Sequence, residues 1–549
     1  MTVGVRSLLP RADDWRGVRA SWRTDLLAGV TVAVVALPLA LAFGVASGVG
    51  PEAGLVTAIV AGVVAAALGG SQLQVSGPTG AMAVVLVPLV HQLGAAAIPA
   101  VAVLAGLLLV LAGALRLGRY ATVLPWPVVE GFTVGIALLI ALQQVPAALG
   151  VPRPDVENTA GAAVAAVGDW AGHGWDALVV VGVVAVVMLA APRLHRSLPA
   201  SLLAVVAATV VAQVARLDVA TIGAIPASLP APSLPAVDGG ALVDLAVAAL
   251  AVAALAGIES LLSARVADGM ADVEPHDPDR ELLGQGAANV AAGLFGGMPA
   301  TGAIARTAVN VRAGAQTRAA AVVHGVVLLV VVLALTPVLA QLPLAGLAGV
   351  LLVTAVRMVD GPTVVRIARS SRQDALLLAA TAGATLAFDL VVAVGIGVAL
   401  AAGLALREVA RSAEFARDPV RPVDVDPTLE RALLREHVVV YRLDGALFFG
   451  AAQRFLHELT AVSDVEVVVL RMGGLRVLDS TGAQALGDLV AELERRGITV
   501  LLVGPRPAHL ALIERVGALA QLAHERHVLP TLDAGLAHAR RHHVRRRAA

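Results

Sequence analysis

Hydrophobic residues along this chain come in runs of roughly 15 to 22, separated by short clusters of charge, proline or glycine. That is the length a helix needs to cross the apolar part of a bilayer. With two shorter, interrupted runs included, fourteen spans can be counted. The first seven fall at residues 26–44, 52–68, 78–91, 98–115, 127–147, 175–191 and 199–215. The second seven fall at 241–264, 281–296, 299–312, 318–336, 343–358, 373–388 and 390–407. The interrupted runs are the third of each set: residues 75–83 read VSGPTGAMA and residues 297–305 read GMPATGAIA, which places Thr79 and Thr301 222 positions apart (301 minus 79). Matched interruptions of this kind predict two repeats, and an odd number of spans per half requires the halves to be inverted in the membrane. Each interrupted run is expected to be a half-helix that starts inside the bilayer, with unpaired N–H groups and about half a positive charge at its tip. Two such tips facing one another make an anion site. Small residues at helix contacts are the alternative explanation, but packing alone accounts less well for matched positions.

After residue 407 the pattern changes. Arg411, Glu414, Arg417, Asp418, Arg421, Asp424 and Asp426 mark a polar linker over 408–427, and a soluble domain is expected over 428–535. Within it, 437–449 reads as a strand-pair region, 465–472 as a buried strand, 480–496 as a helix, 498–503 as a strand and 507–516 as a helix. Strands alternating with helices over about a hundred residues indicate a small α/β domain. The end, 536–549, contains HARRHHVRRR and reads as a solvated, disordered basic tail with at most weak attraction to anionic lipid. The expected fold is therefore a polytopic α-helical membrane protein of seven plus seven spans carrying a small cytoplasmic α/β domain.

Arginine placement tests the span count independently, because positive residues favour the cytoplasmic side. Five arginines precede the first span (Arg6, Arg11, Arg16, Arg19 and Arg23), which makes residues 1–25 a cytoplasmic lead-in without a cleavable signal. Others follow even-numbered spans: Arg116, Arg119, Arg193, Arg196, Arg265, Arg280, Arg312, Arg318, the group from 357 to 372, and Arg407. Connections after odd-numbered spans carry only Arg153 and Arg216. Both termini are expected in the cytoplasm of a cell inner (plasma) membrane protein whose transport domain is 26–407.

Composition agrees. The 549 residues are 58% hydrophobic, above the roughly 45–50% of soluble domains, and the mean hydropathy is +0.84. Charge balances at 40 basic and 40 acidic residues, so no nucleic-acid partner is implied, and every basic residue is arginine. The absence of cysteine excludes disulfides, thiolate metal ligands and a cysteine nucleophile. No nucleophile triad, metal cluster or phosphate loop is present in the sequence, so neither an enzyme nor a bound cofactor is expected.

Thr79, Gly80 and Ala81 are expected to open the third span after Pro78, and Thr301, Gly302 and Ala303 the tenth after Pro299. Proline suits a helix start, glycine permits close backbone approach, and each threonine adds a hydroxyl. Glu259 and Ser263 lie four apart on the eighth span, hence on one face. A carboxylate inside the membrane costs at least about 2.5–3.5 kcal/mol unless paired or protonated, and Arg306, within the tenth span, carries a similar cost. Both are expected to face a central cavity, the arginine attracting an anion and the glutamate exchanging a proton; a buried ion pair locking the two spans is the other option. Glu130, Gln143, Gln144, Gln285, Asn289 and His324 read as interhelical hydrogen-bonding residues. Asp479, Ser480 and Thr481 read as a helix cap in the soluble domain.

These residues also carry a resemblance. LPLALAFGVASGVGPEAGL (37–55), QVSGPTGAM (74–82), PVVEGFTVGIA (127–137), GIESLLSARVADGM (257–270) and GQGAANVAAGLFGGMPATGAIARTAVNVRAGA (284–315) together resemble the SulP anion transporter family, and VLDSTGA (477–483) resembles the loop of its C-terminal STAS domain. The likeness covers nearly the whole chain. It implies core and gate domains, a homodimer, and an anion held between the third and tenth half-helices by Thr79, Gly80, Ala81, Thr301, Gly302, Ala303 and Arg306, with Phe43 as a wall. Glu259 takes the position of an aspartate in sodium-coupled members and Ser263 that of their hydroxyl ligand, whereas Arg306 resembles the arginine of members that need no sodium there. That pair argues for proton symport or anion exchange over sodium coupling. Arg265 departs from the aliphatic residue more usual in relatives and reads as an inside-end anchor. Ser480 matches a phosphorylation site of related soluble STAS proteins. The expected activity is secondary transport of sulfate, bicarbonate or a dicarboxylate; an uncoupled anion channel and a membrane-tethered signalling protein are the alternatives.

Overall fold

The computed structural model describes residues 10–119, 126–154, 156, 158–170, 174–195, 198–235, 242–271, 273–387, 396–397, 399–400, 403–404, 414–417, 437–447, 465–478, 480–522, 524 and 527–548. They divide into two compact units, Met1–Val398 and Ala399–Ala549.

Unit one is helical. The first half holds α1 (Val18–Ala46), α2 (Pro51–Leu68), α3 (Gly80–Leu93), α4 (Ile98–Ala114), α5 (Trp126–Leu149), α6 (Thr159–Asp169), α7 (Asp176–Leu194) and α8 (Ala200–Val214). The second holds α9 (Leu242–Met270), α10 (Pro278–Leu294), α11 (Ile304–Arg312), α12 (Ala319–Leu339), α13 (Leu344–Met358), α14 (Gly361–Ser370) and α15 (Arg372–Ala387). Thirteen of the fourteen predicted spans thus coincide with a described helix; the fourteenth falls almost wholly outside the described residues. Two helices were not anticipated. The short α6 starts from an Asn158 cap, and α14 is strongly amphipathic, so neither presents the unbroken apolar run that marks a span.

The helices pack in two sets. α1 to α4 associate with α9 to α12, while α5, α7 and α8 associate with α13, and α5 also with α15; α1 and α3 touch the second set. Glycine sets the spacing inside the first. A methyl group on Gly106 of α4 would lie 2.6 Å from the Gly286 carbonyl of α10, and one on Gly286 would lie 2.6 Å from the Gly106 carbonyl, so the two backbones approach as only small residues allow.

The C-terminal end of α2 leaves carbonyls without helical partners, and arginines supply them. Arg318 Nη1 donates to the carbonyls of Ala66, Ala67 and Gly69, and Arg280 Nε to that of Leu68. The other end of Arg280 grips Asp14 of the N-terminal 3-10 turn Ala12–Trp15 with two bonds of 3.0 and 2.6 Å. Burial alone would push the Asp14 carboxyl up, but the Arg280 hydrogen bond, the Arg11 amide and the charges of Arg280 and Arg318 together hold it down at about 2.

Unit two carries β3 (Glu414–Arg417), β4 (Val438–Leu447), β5 (Val467–Arg471), β6 (Leu475–Leu478), α16 (Ser480–Arg495), β7 (Thr499–Val503), α17 (Pro507–Arg515), β8 (Val528–Leu529) and α18 (Leu532–Ala548). The sheet order is β3-β4-β5-β7-β8 with β6 beside β4; β3 runs antiparallel and the other pairings are parallel. Three expectations change here. The region 437–449 holds one long strand instead of a pair, the stretch read as linker supplies β3, and the basic tail is helical. Buried Ala539 of α18 packs in a cluster with Val438, Val440, Val467 and Val469, so an apolar stripe inside the arginine-rich segment holds it on the sheet.

A depressed folded-state pKa stabilises the protein fully above the group's ordinary value of 3.8, and that contribution is lost as pH falls toward 2. Replacing Asp14 by Asn is therefore expected to lower stability by about 3 kcal/mol at neutral pH, because Arg280 keeps its charge without its partner. Thermal unfolding of detergent-purified protein at pH 7 and pH 3 checks it, with a smaller difference between variant and wild type at the lower pH.

Candidate anion site

Backbone that leaves the helical pattern inside a bilayer needs internal partners for every N–H and C=O. The two interrupted runs find many of theirs in each other. β1 (Ser76–Gly77) and β2 (Thr301–Gly302) pair antiparallel, Ser76 opposite Gly302 and Gly77 opposite Thr301, and the Ala303 N–H continues the contact to the Val75 carbonyl at 2.9 Å. Thr301 and Gly302 therefore lie in a strand, and α11 starts only at Ile304, later than the sequence suggested. Pairing with β1 uses the backbone groups that an earlier helix start would require.

Side chains from four helices fix this bridge. Asn289 of α10 holds both sides of Ala300, donating to its carbonyl at 2.9 Å and accepting from its N–H at 2.8 Å. Thr57 of α2 does the same for Met298, at 2.9 and 2.8 Å. Ser260 of α9 accepts from Gly302 N–H at 2.9 Å, and Thr307 of α11 from Val75 N–H at 3.1 Å. Gln285 donates to Ser76 Oγ and to Glu281, whose carboxylate accepts the Gly70 and Ser71 amides. Gln285 and Asn289, read from sequence as helix-to-helix hydrogen bonders, thus hold the bridge itself. A methyl on Gly302 would fall 1.6 Å from Gln74 Nε2 and 3.1 Å from Ser260 Cα, so the Gln74 side chain would have to move aside for any larger residue.

The centre of the arrangement is Glu259 on α9. Thr79 Oγ1 donates to its Oε2 at 3.0 Å and Thr301 Oγ1 to the same oxygen at 2.8 Å, so one carboxylate oxygen joins the two repeat-related threonines. Oε1 has no protein partner among the described residues, and the Glu259 side chain is half-buried. Thr79 also caps α3, accepting from Met82 N–H at 3.4 Å, while Ala83 N–H goes to the Thr79 carbonyl. Gly80 and Ala81 are left to supply the free N–H groups at this tip. Gly302 and Ala303 have spent theirs on Ser260 and Val75, so they shape the site and add no donor of their own.

Arg306 is 2% exposed and donates through Nη2 to the Pro78 carbonyl, directly before Thr79, with Nη1 unpartnered against Gly77. It makes no ion pair with Glu259; the peptide of Pro78 and Thr79 stands between their hydrogen bonds. Gly77 has φ +153°, and a methyl there would lie 2.6 Å from Arg306 Nη1. Ser263 is buried and shares a 3.1 Å hydrogen bond with Thr307, apart from the Glu259 carboxylate. Phe43 lies over the α3 tip, its Cε1 3.3 Å from where a Gly80 methyl would sit. Arg265 is exposed. His324 is fully buried, and neither ring nitrogen makes the expected interhelical hydrogen bond among the described residues. In unit two, Ser480 is exposed as the first residue of α16, and Asp479 lies outside the described residues.

Sequence reasoning missed Thr57, Ser260 and Thr307. A threonine or serine within an apolar helix was their only signal, and it is shared by many that merely bond their own backbone, as Thr209 does to Val205.

Two half-helix starts that meet tip to tip, with a carboxylate and a guanidinium beside them, suit an anion site inside a membrane protein. Residues 22–381 match the sulfate permease family and residues 431–534 the STAS domain, and the chain belongs to the sulfate permease (SulP) family with a C-terminal STAS domain. It is 36% identical over 507 residues to the putative sulfate transporter YvdB of Bacillus subtilis, covering 90% of this chain and 94% of that one. It is 33% identical over 497 residues to the bicarbonate transporter BicA of Synechocystis, covering 87% and 88%. Among solved structures, the transmembrane domain of a cyanobacterial BicA superposes with a TM-score of 0.63 at 33% identity, covering 68% of this chain and 97% of that one. The murine solute carrier 26 member A9 anion transporter in its inward-facing state gives 0.83 at 18% identity over 98% and 94%, a likeness of fold.

Asn289→Leu removes the amide while keeping the bulk, leaving both polar groups of Ala300 unpaired. A loss of about 2–4 kcal/mol is expected, read as a lower melting temperature of the purified protein.

Proposed function

We propose that this protein is a secondary carrier for a small anion of the sulfate, bicarbonate or dicarboxylate class, working by alternating access. It spans the cell's plasma membrane with both termini in the cytoplasm and functions as a homodimer. The observation that carries the reading is the convergence of the Thr79 and Thr301 hydroxyls on Glu259 Oε2. A hydroxyl has one proton to give. While Glu259 is ionised, both threonine protons are committed to it and its charge opposes an anion. Protonating Glu259 removes that charge and releases both hydroxyls toward an anion seated at the Gly80 and Ala81 N–H groups. Proton and anion then favour one another's binding, the reciprocity that coupling requires. Arg306 supplies a fixed positive charge behind the Pro78 peptide, so no sodium ion is needed there. The relatives named for sulfate and bicarbonate support the anion class.

The set containing α1 to α4 and α9 to α12 holds every residue of this site, and its motion against the other set carries the anion across. The STAS domain serves assembly and regulation, with exposed Ser480 as its phosphorylation position.

In proteoliposomes, an inward proton gradient is expected to drive uptake and a sodium gradient to have no effect. Glu259→Gln, a stand-in for the protonated acid, should retain anion exchange and lose proton-driven accumulation. Thr79→Val or Thr301→Val should weaken apparent anion affinity about tenfold or more, the size of a hydrogen bond to a charged group. Sodium-driven uptake indifferent to the proton gradient would overturn the reading.

A further inference from the structure

Gly80 and Gly302 occupy matching positions in the two interrupted runs, 222 residues apart (302 minus 80), yet different kinds of neighbour cover them. Over Gly302 lie the Gln74 amide and the Ser260 backbone, 1.6 and 3.1 Å from where a methyl group would sit; both belong to the helix set that holds the site. Over Gly80 lie Ile140 Cδ1 at 2.4 Å, Phe43 Cε1 at 3.3 Å and Ile140 Cγ1 at 3.6 Å, measured the same way. Ile140 is on α5, which otherwise packs against α13, α15, α6 and α7. It is 2% exposed.

We infer that Ile140 is a specificity-determining residue: an apolar stop, contributed by the opposing helix set, that sets the size of the anion accepted at the α3 tip. Three observations lead there. The α3 tip carries unspent donors right beside Thr79, the N–H groups of Gly80 and Ala81, whereas at the matching positions of the second run those of Gly302 and Ala303 are used within the protein and free N–H groups begin only at Ile304. Any molecule bonding to those amides must occupy the space beside Gly80, which the Ile140 side chain borders. And because α5 is not part of the set that carries Thr79, Glu259 and Thr301, Ile140 leaves the tip when the two sets separate and returns when they close. Its volume therefore acts on the closed, anion-bound form. Phe43 differs in this respect, since α1 belongs to the same set as the site.

The inference rests on the anion lying at the α3 tip, and the test separates the two. Wild type and the Ile140→Val, Ile140→Ala and Ile140→Phe variants of the full chain are reconstituted in proteoliposomes. Chloride, bicarbonate, sulfate and fumarate are compared as inhibitors of one labelled anion's uptake. Shortening the side chain is expected to favour fumarate over chloride by about tenfold for Ala and less for Val, the scale on which apolar pocket contacts discriminate, and Phe should shift the ratio the other way. Thr79→Val is run in parallel. If Thr79→Val weakens all four anions while the Ile140 series leaves their ratios within twofold of wild type, the size-stop role is wrong and the site stands. If Thr79→Val and the Ile140 series are both silent, the anion does not bind at this tip and both readings fall. Should Ala or Phe not yield folded protein by size-exclusion chromatography, Ile140→Val and Ile140→Leu carry the same comparison, and unchanged ratios in both overturn the role.

Discussion

The need to pair every backbone polar group away from water governs this molecule. A continuous helix meets that need by itself, but the segments around Pro78 and Pro299 cannot. Their solution is mutual: a two-residue antiparallel ladder between β1 and β2, extended by Ala303 to Val75. Asn289, Thr57, Ser260 and Thr307 complete it, each meeting backbone of a segment distant in sequence or on another helix. An unpaired buried amide costs on the order of 1–3 kcal/mol, so these polar side chains in apolar helices are there because the interrupted backbone requires them. The positions of Thr79 and Thr301, and hence the site, follow from that framework.

The framework is asymmetric although the repeat is not. Thr79 caps a fourteen-residue helix whose first N–H groups remain open, whereas Thr301 sits in a strand ahead of a nine-residue helix whose preceding amides are already bonded. Two inverted copies of one motif therefore differ in register: in the first the free N–H groups follow Thr79 directly, and in the second Gly302 and Ala303 are spent on the bridge before the free N–H groups begin at Ile304. Glu259 reconciles them by accepting a hydroxyl from each. Arg306 strengthens the same side by holding the Pro78 carbonyl, which places its charge behind the donor-bearing tip instead of in direct contact with the carboxylate.

Away from the site, charged residues take on structural roles that polarity alone did not suggest. Arg280 and Arg318 follow the positive-inside pattern, yet both are buried as caps for the end of α2, and Asp14 ties the N-terminal turn to them. In unit two, the acidic and basic stretch after residue 407 includes a strand, and the arginine-rich tail belongs to a helix held by Leu532, Leu536 and Ala539 on one side.

The sequence by itself determined the membrane class, nearly all span positions and the two matched interrupted runs. Those depend on run length, on proline and glycine breaking a helix, and on the cost of Glu259 and Arg306 in lipid, all of which are local. It also picked out Thr79, Thr301 and Glu259. What it left undecided was which atoms meet: that both threonines share one oxygen, that Ser263 turns to Thr307, that Gly302 and Ala303 give up their donors, and that Ile140 closes over Gly80. Thr57 and Met298 are 241 residues apart in the chain, and no helical period connects them. Only the folded arrangement of the two inverted halves brings such groups within hydrogen-bonding distance, so the roles of the polar residues in the apolar helices were decided by tertiary structure.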